Sequence, residues 1–415
     1  MIKLFTNSSQ IVTCNTNNKN YKRGKELSKQ EVLTDHFIVC DNGTIKDILP
    51  NSNLNKFLSA EKIELTDKVI LPGLIDCHTH TVFAGSRANE FRMKIAGADY
   101  EEIAKNGGGI ITTVNAVRST LLDNLVNIIK PRIAEYIKQG VTTLEIKSGY
   151  GLDFETEIKL LHTIKILDEI YPLNIISTFL GAHTYPPEFK NDHKSYIELI
   201  CSKMIPHIAK NKLADFCDGF CELTAFSAEE IDLIFSIAVQ NGLKLKLHTE
   251  QFNNCGGLDV ALKHNAVSVD HLEVLNEKDF NRFHNIDTVA VLLPGVSFFL
   301  DYQYAPARKL IDNNAIVAIA SDYNPGSSHI QNLQLIMSLA AIKMKMTIEE
   351  VINSITINAA KALNMEHLVG SIEIGKQADF AVFKTNDYSD IVYNVGKNIL
   401  SHTIKNGNVI YQSSC

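Results

Sequence analysis

The chain has 415 residues, 45% of them hydrophobic and 21% charged, and a formal net charge of -7. That is an ordinary globular composition with material for a large core, and the mild acidic excess, with no basic run, argues against a nucleic-acid partner. No apolar stretch approaches the roughly 18 residues of a membrane span, and the opening MIKLFTNSSQ lacks a secretory apolar run, so the expectation is a cytoplasmic protein with no membrane partner.

Residues 1 to about 70 read as short strands, with HFIVCDNGTIKDIL forming a hairpin around Asp41-Asn42-Gly43. From there apolar, β-branched runs alternate with amphipathic stretches such as NLVNIIKPRIAEYIKQ and SAEEIDLIFSIAVQN. The candidate strands are 69–76, 141–148, 174–182, 214–222, 243–250, 266–273, 288–295 and 315–322. Parallel strands with crossover helices in this number predict an α/β fold, a closed (β/α)8 TIM-like barrel. The long insertion between the first two strands predicts a lid or extra helices. The last 45 or so residues return to β grammar: SIEIG alternates, ADFAVF is a strand, and HTIKNGNVIYQ turns at Asn406-Gly407. Each β segment is too small for a good core of its own. The expectation is one composite β-sandwich from residues 1–70 and 366–415, with the barrel over 71–365.

The eight cysteines are scattered without a Cys-x-x-Cys pair and read as free thiols. Cys217 and Cys221, the closest pair, lie in a strand-like segment where a small buried side chain explains them. Gly107 to Gly109 is not a phosphate loop, because no Gly-Lys-Ser/Thr follows it, and reads as a tight turn or flexible lid.

Barrel enzymes carry their chemistry at the C-terminal ends of the strands. Here the first strand ends in Asp76-Cys77-His78-Thr79-His80, the third at His183, the fifth at His248, the sixth at His271 and the eighth at Asp322. Five of only 14 histidines therefore stand where strands should empty into an active-site face. His78 and His80 are two apart on an extended segment, so both side chains point to one side and can share a metal ion. A lone His-x-His is weak evidence; a third His and an Asp at later strand ends strengthen it. Imidazoles plus one carboxylate suit Zn(II) or Fe(II) rather than Mg(II) or Ca(II).

PGLIDCHTH resembles the opening of the barrel in the amidohydrolase superfamily, where His-x-His follows the first strand, a His the fifth, another the sixth and an Asp the eighth. The split β-domain fits the same pattern. HTHTVFAGSRANEF, NGGGI with TTV just after, EIKSGYGL, FLGAHTYP, DHLE and SDYNPGSS are similar to the imidazolonepropionase family within it. That resemblance implies hydrolysis of 4-imidazolone-5-propanoate to N-formimidoyl-L-glutamate, in histidine degradation.

By the resemblance, His78, His80, His248 and Asp322 hold one divalent ion, Zn(II) or Fe(II). Asp322 also accepts the proton of the attacking water, and His271 serves as proton shuttle or oxyanion stabiliser. His183 hydrogen-bonds the imidazolone ring. Arg87, whose fork of donors suits a carboxylate, takes the propanoate; Tyr150 and Tyr100 donate hydroxyls; Asn324, Gly326 and Ser327 form a substrate or product clamp, in a loop that is turn chemistry in any case. One departure matters. Related deaminases carry His-x-x-Glu after the fifth strand, whereas here Gln251 holds the third position, able to hydrogen-bond but not to act as a base. Glu250 is displaced by one residue, and in an extended segment points to the other side. A bridging group for a second metal would be Lys147, poorly placed, or Glu222; the expectation is a single ion. The competing readings are another cyclic-amide hydrolase or nucleobase deaminase, which a Glu at 251 or a bridging Lys would have favoured, and an inactive barrel serving as a binding subunit, which loss of a ligand would have favoured. A homodimer is the base-rate expectation for such an enzyme.

Overall fold

The computed structural model describes residues 1–97 and 108–414. At the N-terminal end lie β1 (Ile2–Thr6), β2 (Gln10–Val12), β3 (Val32–Leu33), β4 (His36–Asp41), β5 (Thr44–Pro50), β6 (Glu61–Glu64) and β7 (Val69–Pro72). Eight barrel strands follow: β8 (Leu74–Asp76), β9 (Val141–Lys147), β10 (Asn174–Ala182), β11 (Phe216–Cys221), β12 (Lys244–Thr249), β13 (Ser268–His271), β14 (Val289–Leu292) and β15 (Ile316–Ile319). The chain ends with β16 (Phe380–Phe383), β17 (Leu400–Lys405) and β18 (Asn408–Gln412).

β8 to β15 form one parallel sheet in chain order, the α/β barrel the alternating pattern predicts. Main-chain bonds just beyond the strand ends close it: His80 N–H donates to Tyr323 O at 2.9 Å and Asp322 N–H to His78 O at 3.0 Å. Ser321 reinforces the seam, its N–H and hydroxyl both donating to the Asp76 carboxylate. The segment that closes the barrel is thus the one that carries His78, His80 and Asp322. Outside, helices cover the sheet. Helix Phe154–Ile170 buries Ile158, Leu161 and Leu167 at helical spacing and is capped by the Asp153 side chain accepting from Thr156 N–H. Helix Ala228–Gln240 starts in a capping box of Ser227 and Glu230.

The first candidate strand, 69–76, is in fact two. β7 pairs antiparallel with β16, while β8 pairs parallel with β9. Gly73 marks the change because the chain there runs against Thr142: a Cβ on Gly73 would sit 2.1 Å from Thr142 Oγ1. The terminal strands form two sheets, β18-β17-β16-β7-β2-β3 and β5-β4-β1-β6. Between them Phe5, Ile38, Ile45, Ile70, Phe380 and Ile404 make a core drawn from both ends of the chain. Both Asn-Gly sites turn as read, with positive φ at Asn42 and Gly43 and at Asn406 and Gly407, the two-residue geometry that matches strand twist. SIEIG is not a strand. It joins the sandwich by two main-chain bonds, Ile372 N–H to Thr13 O and Gly375 N–H to Ile45 O, while Glu373 turns back to accept from the Ser371 hydroxyl, and the chain reverses at Gly375.

Within the long insertion the described residues form helices Ala88–Ile95, Ile110–Ser119 and Leu122–Ile137. Tyr100 and Gly107 lie outside the described residues. No helix among the described residues is long and apolar enough to cross a membrane.

Candidate metal centre and active site

Four donor atoms converge at the end of the barrel. Nε2 of His78 and Nε2 of His80 lie 3.4 and 3.3 Å from Asp322 Oδ1, and Nε2 of His248 lies 3.3 Å from Nε2 of His80. Ligand atoms about 2.0–2.1 Å from a tetrahedral ion stand roughly 3.3–3.4 Å apart, so these spacings fit a small divalent cation. His78 Nε2 and Asp322 Oδ1 are moreover buried without a hydrogen-bond partner, a costly state that a cation would relieve. His271 joins the cluster, grouping with His78 and His248 at metal-binding distances. Burial opposes ionisation of Asp322, but the contacts with His78 and His80 outweigh it and hold its carboxyl well below the usual range. Asp322 and His271 have left-handed backbones, φ 48° and 88°. Such residues cost about 1–3 kcal/mol each and persist where the surroundings over-determine them.

Beneath the donors lies a buried layer of charge that sequence reasoning missed. His78 Nδ1–H donates to Asp270 Oδ2 at 2.6 Å and His248 Nδ1–H to Asp218 Oδ1 at 3.1 Å. Each bond fixes the tautomer that leaves the Nε2 lone pair free for a metal. Lys147 donates to Asp218 and Glu145, while Lys246 lies 3.2 Å from Glu145 and donates to Cys77 O. All five side chains of the layer are fully buried. Burial favours neutral carboxyls, yet Lys246 and His78 hold Asp270 ionised, as His248 and Lys147 do Asp218. A signal was present in the sequence: Glu145 and Lys147, Lys246 and His248, and Ser268 and Asp270 recur with period 2 in strands whose outer faces are covered by helices. Lys147 is spent here, and Glu222 accepts from Gln251 N–H, Phe252 N–H and the Asn253 amide. Neither lies in the donor cluster.

Above the donors opens a cavity of about 370 Å³. His80, His248, His271 and Asp322 line its metal end, and Arg87, Tyr150, His183, Gln251, Asn324, Gly326 and Ser327 line the rest. The structure therefore brings together every candidate it describes. His183 Nδ1–H donates to Gly149 O at 2.9 Å. Burial, then the neighbouring His80, pushes its pKa down to about 3, so the ring is neutral at pH 7 and its Nε2 is an acceptor. The Tyr150 hydroxyl is kept protonated by burial and by Asp322. Arg87 Nε and Nη2 both donate to Glu90 Oε2, at 2.8 and 2.7 Å. Its Nη1 lies against Gly326, where a Cβ would stand only 2.0 Å away.

Some of these residues act less directly than their position suggested. The Asn324 side chain accepts from Gly326 N–H and Ser327 N–H and donates to Asp322 O, so it shapes the loop and offers little to a ligand. Glu250 does not line the cavity; burial, then Asp279 and Glu222, pushes its pKa up to about 8. Three supporting residues went unread. Glu90 holds Arg87, and Glu157 accepts from Gly149, Gly151 and Leu152 N–H beneath Tyr150. Glu273, whose side chain is fully buried, stands 3.6 Å from His271 Nδ1. Lys94 adds a second cation at the cavity wall.

Residues 69–410 match the amidohydrolase family. A protein of Christiangramia forsetii named imidazolonepropionase is 40% identical over 411 residues, 99% of this chain and 100% of that protein. One of Shewanella sp. (strain ANA-3) with the same name is 43% identical over 383 residues, 92% of this chain and 94% of that one. Among solved structures, a zinc-bound adenosine deaminase of Xanthomonas campestris superposes with TM-score 0.74 at 16% identity, covering 98% of this chain and 92% of that one. E. coli guanine deaminase does so with TM-score 0.72 at 14% identity over the full length of both. At that identity the likeness is one of fold.

Proposed function

We infer the reaction from the premise that this chain belongs to the amidohydrolase family and, within it, to the imidazolonepropionases. It is a hydrolase of carbon–nitrogen bonds in cyclic amides: 4-imidazolone-5-propanoate and water give N-formimidoyl-L-glutamate, a step of histidine degradation. The water oxygen becomes bonded to the ring carbonyl carbon, the adjacent C–N bond breaks, and the ring nitrogen takes up a proton. The observation that carries the reading is a single cavity with a His/Asp donor set at one end and a guanidinium on its wall. Those are the two chemistries this substrate asks for, at its lactam and at its propanoate.

One divalent cation, Zn(II) or Fe(II), is assigned to His78, His80, His248 and Asp322. When bound it supplies Lewis acidity, bringing the pKa of water towards neutrality and polarising the lactam carbonyl. A single ion is supported by Lys147 and Glu222 being committed elsewhere. Asp322, kept ionised, accepts the proton of the attacking water. His271, with Glu273 3.6 Å from its Nδ1, stabilises the developing oxyanion or passes the proton to the leaving nitrogen. His183 Nε2 accepts a ring N–H, Tyr150 donates its hydroxyl, and Gln251 bonds the ring edge. Arg87 Nη1, with Lys94 nearby, takes the propanoate. Gln251 in place of a carboxylate leaves the proton work to Asp322 and His271, which disfavours a deaminase.

The direct test supplies purified, metal-replete protein with imidazolone propanoate made freshly in the cuvette by urocanase, and follows loss of its ultraviolet absorbance. Loss well above spontaneous decay, abolished by a chelator, is expected. No acceleration with metal bound would remove this substrate and send the search to other cyclic amides.

A further inference from the structure

A second cavity, of about 400 Å³, lies on the other side of Arg87. Its walls carry the rings of Phe83, Phe91, Phe299, Tyr323 and His329, and Arg132 reaches into it from helix Leu122–Ile137. Arg132 Nη1 donates to Thr81 O and Phe83 O, both at 2.8 Å, and the guanidinium stacks 3.6 Å from the centre of the Phe83 ring. Those bonds use one corner of the fork. Nε and Nη2 have no protein partner among the described residues.

The charge on Arg132 is unanswered. Arg23, Arg87, Arg118, Arg282 and Arg308 each pair with a carboxylate. Arg132 is the part-buried arginine that does not, among the described residues. Burial pushes its pKa down, and the groups that oppose this are the hydroxyls of Tyr323, Tyr136 and Tyr150, with no acid among them. A half-buried cation is costly unless paired, and a free guanidinium edge presents two parallel donors to a carboxylate. Flat aromatic walls favour a flat ring.

We propose that this cavity is a second ligand site, taking a planar aromatic or heteroaromatic monocarboxylate whose ring lies among the aromatic walls and whose carboxylate meets Nε and Nη2 of Arg132. One guanidinium with one free edge matches a single negative charge, and the volume is that of a small-molecule pocket. The site touches the substrate cavity twice, through Arg87, which lines both, and through Tyr323, which follows Asp322. The proposal rests on these residues and not on the reaction assigned above.

The test is fluorine NMR titration of the full chain with 4-fluorobenzoate, and with 4-fluorobenzamide as the uncharged control. Saturable binding of the benzoate is expected, weakened about tenfold or more by Arg132→Met and in the amide, as loss of a charge-assisted pair implies. Phe299→Ala weakens it too. His183→Ala, which alters only the substrate cavity, leaves it unchanged. Loss of binding in His183→Ala with retention in Arg132→Met would put the benzoate in the substrate cavity and overturn the proposal, as would an absence of saturable binding or equal binding of the amide. Circular dichroism checks each fold; should Arg132→Met fail to fold, Phe299→Ala and the amide decide, and unchanged affinity in both overturns the proposal.

Discussion

The substrate cavity is anchored differently at its two ends. At the metal end the donors sit at or just beyond strand termini, almost wholly buried, and the outer nitrogens of His78 and His248 rest on Asp270 and Asp218, themselves held by lysines inside the barrel. At the carboxylate end Arg87, Tyr150 and the loop after Asp322 belong to connecting segments, and each is fixed by one local acceptor: Glu90, Glu157 and the Asn324 side chain. The first kind of anchoring sets donor geometry and charge for a cation. The second sets where a connecting loop presents a hydrogen-bond donor. Mutations at the two ends should therefore fail in different currencies: turnover and metal affinity at one, KM and loop stability at the other.

The largest effect is expected for Asp322→Asn. Asparagine keeps the shape, tolerates the left-handed backbone and leaves the main-chain bond to His78 O in place, so the fold should survive. It loses the charge and the proton acceptor, and kcat should fall by about 10³-fold or more. Turnover near the parent rate would remove Asp322 from proton transfer. Next comes Asp270→Asn, which takes the ionic acceptor from His78 Nδ1–H. Metal affinity, read by competition with a chelator, should fall about 10- to 100-fold. The melting temperature should also drop, since Lys147 and Lys246 lose part of their countercharge. Unchanged metal affinity would make the buried layer a matter of folding alone.

How much of this was legible follows the same division. The strands carrying His183, His248, His271 and Asp322 announce themselves as apolar β-branched runs, and a titratable residue at the end of such a run needs little else to be noticed. The layer below was also written in the strands, as Glu145 with Lys147 and Lys246 with His248, but alternation is read by habit as one wet face, and here that face is the barrel interior. Glu90 and Glu157 have no such period. Their partners are main-chain donors and a guanidinium in loops whose path only the folded chain defines. Gly73 shows the limit in another form: 69–76 is a continuous apolar run, and only its two sets of hydrogen-bond partners divide it between two sheets. SIEIG has a strand's alternation without a strand's neighbours.

At the carboxylate end, Arg87→Ala should raise KM by about 10- to 100-fold, the worth of a charge-assisted hydrogen bond. Turnover should change far less, because the propanoate is bound alike in ground and transition states. An unchanged KM would take Arg87 out of the site and leave Lys94 as the candidate cation.

The smallest effect, and the one that separates loop from strand anchoring most cleanly, is expected for Glu157→Gln. Oε1 accepts from Gly151 and Leu152 N–H at 2.7 and 3.0 Å, and Oε2 from Gly149 N–H at 3.1 Å. Glutamine keeps one acceptor and turns an N–H donor toward whichever main-chain donors it abandons. The loss should be about 1–3 kcal/mol of stability, visible in denaturant unfolding. Gly149 O also orients His183, and Tyr150 rides on the same turn, so the loosened loop should raise KM severalfold. Metal affinity should stay at the parent value, because among the described residues Glu157 bonds Gly149, Gly151, Leu152 and Ser148 and none of the buried carboxylates or lysines beneath the metal donors. A fall in metal affinity would mean that the two ends of the cavity are mechanically one, and that the contrast between strand and loop anchoring does not hold in this molecule.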